Sequence, residues 1–113
     1  MGLDNFWESG KTVSFDAPLR LCGSFTSENT LICFRGKVYS DLIFHVTGVS
    51  LYQETIQNQT ICEMATKLQA TPYETAWGQA GTWMYTITAE EYADLQRMFA
   101  AYAKAGASLG GSW

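Results

Sequence analysis

The sequence predicts an α+β fold, a small and mostly antiparallel sheet packed against about three helices. Two segments, 60–70 and 88–105, carry apolar residues at helical spacing behind capping-box sequences. Several short runs rich in aromatic and β-branched residues read as strands. The chain has 113 residues, 47% hydrophobic and 16% charged, enough for one core but not two. The expectation is therefore a single domain over 1–113.

The elements follow in chain order. Thr12 to Phe15 is a minor strand candidate. Leu19 to Cys22 and Leu31 to Phe34 would pair as a hairpin around the polar loop Gly23 to Thr30, with Pro18 before the first strand, where a missing donor does least harm. Lys37 to Thr47 reads as a helix that aligns Val38, Tyr39, Leu42, Ile43 and Val46 and stops at Gly48. As a strand it would have Ser40 on its apolar side. The helical reading leaves Phe44 and His45 off the core face, which makes Phe44 a candidate interface residue. Val49 to Tyr52 is another minor strand candidate.

Thr60-Ile-Cys-Glu63 reads as a capping box for a helix to Ala70, with Ile61, Met64, Ala65 and Leu68 inward and Thr71-Pro72 as its stop. Tyr73 to Thr82, with Gly78 and Gly81, reads as loop, and Trp83 to Ile87 as strand. The C-terminal helix, 88–105, starts at the capping box Thr88-Ala-Glu-Glu91. It buries Tyr92, Leu95, Met98, Phe99 and Tyr102, and Gly106 ends it. The glycine- and serine-rich stretch 107–113 reads as a flexible tail whose terminal Trp113 would dock or meet a partner.

Composition narrows the function classes. Net charge is −4, and of seven basic residues only Arg35 and Lys37 sit close together, which excludes the basic face that nucleic acid needs. Met1 to Val13 holds Asp4, Glu8 and Lys11 and no apolar run, against a secretory leader, and no stretch approaches a membrane span. The expected compartment is cytoplasmic, where the three widely spaced cysteines would be free thiols. Asn58-Gln59-Thr60 matches a glycosylation acceptor by coincidence in that setting. Four Trp, six Tyr and six Phe are more large rings than a small domain easily buries, so some would line a pocket or an interface.

The strongest site candidate is Arg35-Gly36-Lys37, with Ser40 one turn on. If a helix opens there, its free N–H groups and dipole favour an anion, flanked by two cations. The plainer alternative is a strand-to-helix turn with solvated basic side chains. Cys22 would need His45, the one histidine, as its base to act as a nucleophile. A phosphatase-type loop would want Arg where the chain has Glu28. Cys22, Cys33, Cys62 and His45 lack the close ligand pairs of structural zinc, so no metal or cofactor is expected. Glu90 and Glu91 suit the first turn of a helix by charge rather than forming an acid–base pair.

The stretches Met1-Gly-Leu-Asp-Asn-Phe-Trp7, Pro18-Leu-Arg-Leu-Cys-Gly23, Phe34-Arg-Gly-Lys-Val-Tyr39 and Thr47-Gly-Val-Ser-Leu-Tyr52 resemble short bacterial proteins carried on mobile integron gene cassettes. The resemblance implies a bacterial, cytoplasmic accessory product encoded on a mobile element; it carries no enzymatic motif and transfers no site residues. Two function classes remain. The first is a non-enzymatic binding or interaction protein that pairs as a homodimer or meets a protein partner through Phe44 and Trp113. The second is a small-molecule or anion-binding protein, or an enzyme, with an aromatic pocket anchored by Arg35 and Lys37.

Overall fold

Residues 4–8 alternate in burial, with Asn5 and Trp7 inward and Asp4, Phe6 and Glu8 outward, the period of two that makes a strand. This strand, β1 (Asp4–Glu8), is the middle of the sheet in a computed structural model that describes residues 2–11, 13–15, 17–23, 25–27, 30–78 and 85–113. Strands β2 (Phe25–Ser27) and β3 (Thr30–Phe34) form a hairpin, and helix α1 (Gly36–Thr47) follows directly. Then come β4 (Thr55–Ile56), α2 (Asn58–Ala70), α3 (Tyr73–Gly78), α4 (Ala89–Lys104) and β5 (Ser108–Ser112). The strand order is β2-β3-β1-β5-β4, antiparallel at each pairing, so the α+β expectation holds.

Helices cover one face of this sheet. Trp7 stacks on Tyr102 of α4 at 4.4 Å and meets Phe99 edge-on at 5.2 Å, while Phe34 packs against Tyr39 of α1. One core runs through both layers, from Leu3 to Leu109. On the other face Phe6 stays 38% exposed, opposite Gly110 of β5 and Cys33 of β3. Among the described residues no helix is long and apolar enough to cross a membrane.

Helix α4 has the predicted capping box, with Glu91 N–H donating to Thr88 Oγ1 at 3.1 Å and the Glu91 carboxylate accepting from Thr88 N–H. Its inward stripe holds the predicted Tyr92, Leu95, Met98, Phe99 and Tyr102, but Asp94, which the spacing puts on the polar side, is buried as well, and Gly106 adopts a left-handed φ of 77°. Helix α1 likewise ends on Gly48 at φ 77°. Helix α2 buries Ile61, Met64, Ala65 and Leu68 as expected, but Thr60-Glu63 is not its cap. The helix starts two residues earlier, behind Gln57, because the Asn58 amide donates to the carbonyls of Ala103 and Ala107 and ties that end to α4.

Several expectations are corrected. Leu19 to Cys22 is not a strand, and β3 pairs instead with Phe25–Ser27. Its alternating burial has another origin: Arg20 N–H donates to Asp94 at 2.8 Å and Cys22 N–H to the Tyr39 hydroxyl at 2.7 Å. Side chains, not a neighbouring strand, thus satisfy an extended backbone that buries Leu19 and Leu21. Val13 to Phe15 and Val49 to Tyr52 are not strands either. Tyr73 to Gly78 is helical, with Tyr73 stacked on Trp77, while 79–82 lie outside the described residues. The predicted strand at Trp83 to Ile87 loses its first two residues to the same gap, and Tyr85 to Ile87 is irregular.

The tail expected to be flexible is β5, paired with β1 from Ser108 to Ser112. Its glycines serve close packing rather than mobility. A Cβ at Gly111 would lie 2.5 Å from the Gln53 carbonyl oxygen, and one at Gly110 would run into the Phe6 ring. Trp113 sits edge-on to Tyr52 at 5.7 Å and remains 54% exposed.

Candidate functional site

The turn from β3 into α1 brings together what the sequence separates. Arg35 N–H donates to the Cys22 carbonyl at 2.8 Å, which holds the exposed Cys22 beside the start of α1. Leu3, just before β1, accepts from Lys37 N–H at 3.1 Å. Val38 N–H turns back to Arg35 O at 3.2 Å. Two donors of the first turn are thus spent on backbone carbonyls, and Ser40 is buried beneath it. The anion cradle of free N–H groups expected at Gly36 is therefore largely closed.

Gly36 has a different role. A Cβ there would overlap Asn5 Oδ1, so only glycine lets the helix start pass this close to β1. Asn5 is fully buried, and its amide nitrogen donates to Leu51 O at 3.2 Å and Gly110 O at 3.1 Å. It joins β1, β5 and the loop after α1 at one point.

What remains available at this corner is side chains. Arg35, Lys37, Val38, Cys22, Tyr85 and Gly2 line a hollow of about 350 Å³. Arg35 is half-exposed, and its Nη1 lies 3.2 Å and 3.3 Å from the two oxygens of Asp4. Lys37 is exposed and makes no ion pair among the described residues. Gly2 leaves room for both cations, since a Cβ there would come within 2.9 Å of Arg35 Nη1 and 3.3 Å of Lys37 Cδ. The sequence singled out Arg35, Lys37 and Cys22 but not Gly2, Tyr85 or Asp4, which reach the corner from distant parts of the chain.

The other predicted residues lie elsewhere. His45 is on the last turn of α1, ten residues from Arg35, or about 15 Å along the helix. A Cys22–His45 couple is thereby excluded as a catalytic pair. Phe44 is 51% exposed on α1, edge-on to His45, whereas the ring partner of Trp113 is Tyr52. Cys22, Cys33 and Cys62 are all free, and no group of three metal-ligating side chains occurs among the described residues.

Under the same corner Tyr39 is fully buried; its hydroxyl accepts from Cys22 N–H and donates to Glu91 at 2.7 Å. Burial pushes this phenol well above the ordinary tyrosine range; the Cys22 N–H opposes that shift and the Glu91 carboxylate adds to it. Burial also raises Tyr92 and Tyr102. The unfolded phenols ionise near pH 10, so the contribution of these three is complete below about that pH and is lost as pH rises toward the folded values. The unfolding free energy from urea titration should hold up to about pH 9.5 and then fall, by up to about 1.4 kcal/mol per pH unit for each phenol, with the midpoint falling alongside. A midpoint that stays level to pH 11.5 would contradict this.

Comparison with family models, curated proteins and solved structures gives no match to this chain.

Proposed function

We propose that this chain is a non-enzymatic binding protein that takes a small anionic ligand with an apolar part in the Arg35–Lys37 hollow. The observation that carries the reading is one concavity with two cationic side chains and apolar walls from Val38 and Tyr85. Its volume, about 350 Å³, lies in the range of small-molecule sites. No carboxylate lines it among the described residues, in a protein of net charge −4. Arg35 is partly neutralised by Asp4, so Lys37 supplies the uncompensated charge.

The uncovered sheet face favours a homodimer less. Phe6 there is flanked along β1 by Asp4 and Glu8, which a two-fold contact through β1 would set against the carboxylates of the second copy. A bound anion at the hollow meets no such repulsion.

The test is titration of ¹⁵N-labelled protein with 3-phenylpropanoate, followed by amide shifts. The expected shifts gather at Cys22, Arg35, Lys37 and Tyr85, with submillimolar to millimolar affinity. Lys37→Gln should weaken binding about fivefold, as loss of one exposed charge pair worth ~1 kcal/mol implies, and added salt should weaken it too. Binding that ignores both Lys37→Gln and salt, or no saturable shift at all, would sink the reading.

A further inference from the structure

The Arg35–Lys37 hollow does not end at Arg35. A second hollow of about 460 Å³ adjoins it, lined by Gly2, Asp4, Arg35, Ser112 and Trp113. Gly2 and Arg35 are walls of both. The two lobes meet along Gly2 and Arg35, and they differ in charge.

The first lobe is lined by Lys37 and Arg35, with no carboxylate among its described lining residues. The second holds Asp4 and the indole of Trp113. Asp4 is more than half exposed, and a single guanidinium nitrogen engages its two oxygens, so both oxygens retain accepting capacity. Trp113 meets Tyr52 edge-on at 5.7 Å and stays 54% exposed. A carboxylate beside an exposed indole favours a cation, through ion pairing and the ring quadrupole.

We infer that the double hollow recognises a dipolar ligand, an amino-acid-like zwitterion with an apolar side chain. Its ammonium and carboxylate, carried on one carbon, sit where the hollows meet at the Arg35–Asp4 pair, the carboxylate toward Arg35 and Lys37 and the ammonium toward Asp4 and Trp113. This rests on the anion reading above and adds the second charge. Each charge of the ligand meets its opposite, and Arg35 and Asp4 exchange part of their mutual contact for contact with the ligand.

Three probes separate the terms: phenylalanine, 3-phenylpropanoate, which lacks the ammonium, and 2-phenylethylamine, which lacks the carboxylate. Calorimetric or amide-shift titration should rank phenylalanine first, about fivefold tighter than 3-phenylpropanoate, with the amine weakest. Asp4→Asn provides a test of opposite sign. It should abolish the phenylalanine advantage, and it should strengthen 3-phenylpropanoate binding because Arg35 is released from its pair. Trp113→Leu should reduce the phenylalanine advantage and leave 3-phenylpropanoate within twofold. If 3-phenylpropanoate binds at least as tightly as phenylalanine yet still responds to Lys37→Gln, the dipolar inference is overturned and the anion reading stands. If neither carboxylate binds, both fall. Circular dichroism of each variant confirms that the comparison is between folded proteins.

Discussion

Replacing Gly36 with alanine should cost about 3 kcal/mol of stability, the upper range for forcing atoms into a packed interior. The new methyl would overlap Asn5 Oδ1 and come within 3.1 Å of Leu3 Cδ2. Neither neighbour has room to yield, because both are fully buried and the Asn5 amide is anchored to two backbone carbonyls. Thermal unfolding should shift down by ~10 °C or more, at roughly 4 °C per kcal/mol for a domain of this size. Gly10→Ala is the matched control, since a Cβ there meets nothing within 4 Å. The mechanism is checked by a double-mutant cycle. Asn5→Ala is itself destabilising, because it leaves the Leu51 and Gly110 carbonyls without that donor. In its background, however, Gly36→Ala should cost much less, because the colliding oxygen is gone. Equal costs in both backgrounds would mean that the strain lies elsewhere in the α1 start.

This corner also shows where sequence reasoning stops. Helices α1, α2 and α4 were legible because their stability comes from one apolar stripe each, which periodicity reports directly. Strand β1 was not, because its inward face carries Asn5, a polar residue whose burial makes sense only once Leu51 and Gly110 lie beside it. Strand β5 was hidden by composition. Gly110 and Gly111 suggest freedom in a sequence, but the space they leave is filled by Phe6 and by the 51–53 backbone. Leu19 to Cys22 misled in the opposite direction, having strand alternation while its N–H groups went to the side chains of Asp94 and Tyr39.

The candidate site divides along the same line. Arg35 and Lys37 are two residues apart, so their pairing could be read from the chain. Asp4 and Trp113 join them only through the order of the sheet, which sets the end of β5 beside the start of β1, and Tyr85 arrives from the irregular segment before α4. One residue's neighbours also reverse the expected chemistry of Gly36. A glycine before a helix suggests backbone open to an anion, yet here it is the contact point for a buried amide.

Asp94→Ala should destabilise the fold by about 3 kcal/mol, since hydrogen bonds to a charged group are worth about 1.5–3 kcal/mol each and the exposed arginines recover part of the loss in water. The Asp94 side chain is only 3% exposed, in the middle of α4. It accepts from Arg20 N–H at 2.8 Å and Arg97 Nη1 at 2.9 Å, with Arg20 Nε 3.5 Å away. Alanine removes each of these and leaves a buried cavity beside Leu19 and Leu21, which the Arg20 bond holds against the helix. Arg97 also reaches the Ala17 carbonyl and lies 5.9 Å over the Phe15 ring, so a loosened Arg97 should free the 13–22 segment as a unit. Amide exchange should therefore accelerate first at Arg20 and Cys22, before the sheet opens. Asp94→Asn separates charge from shape: it keeps an acceptor for Arg20 N–H and should cost about half as much. A loss under 1 kcal/mol for Asp94→Ala would show that the extended 19–22 segment is held by Leu19 and Leu21 alone, and that its pairing to a side chain in place of a strand is incidental to the fold.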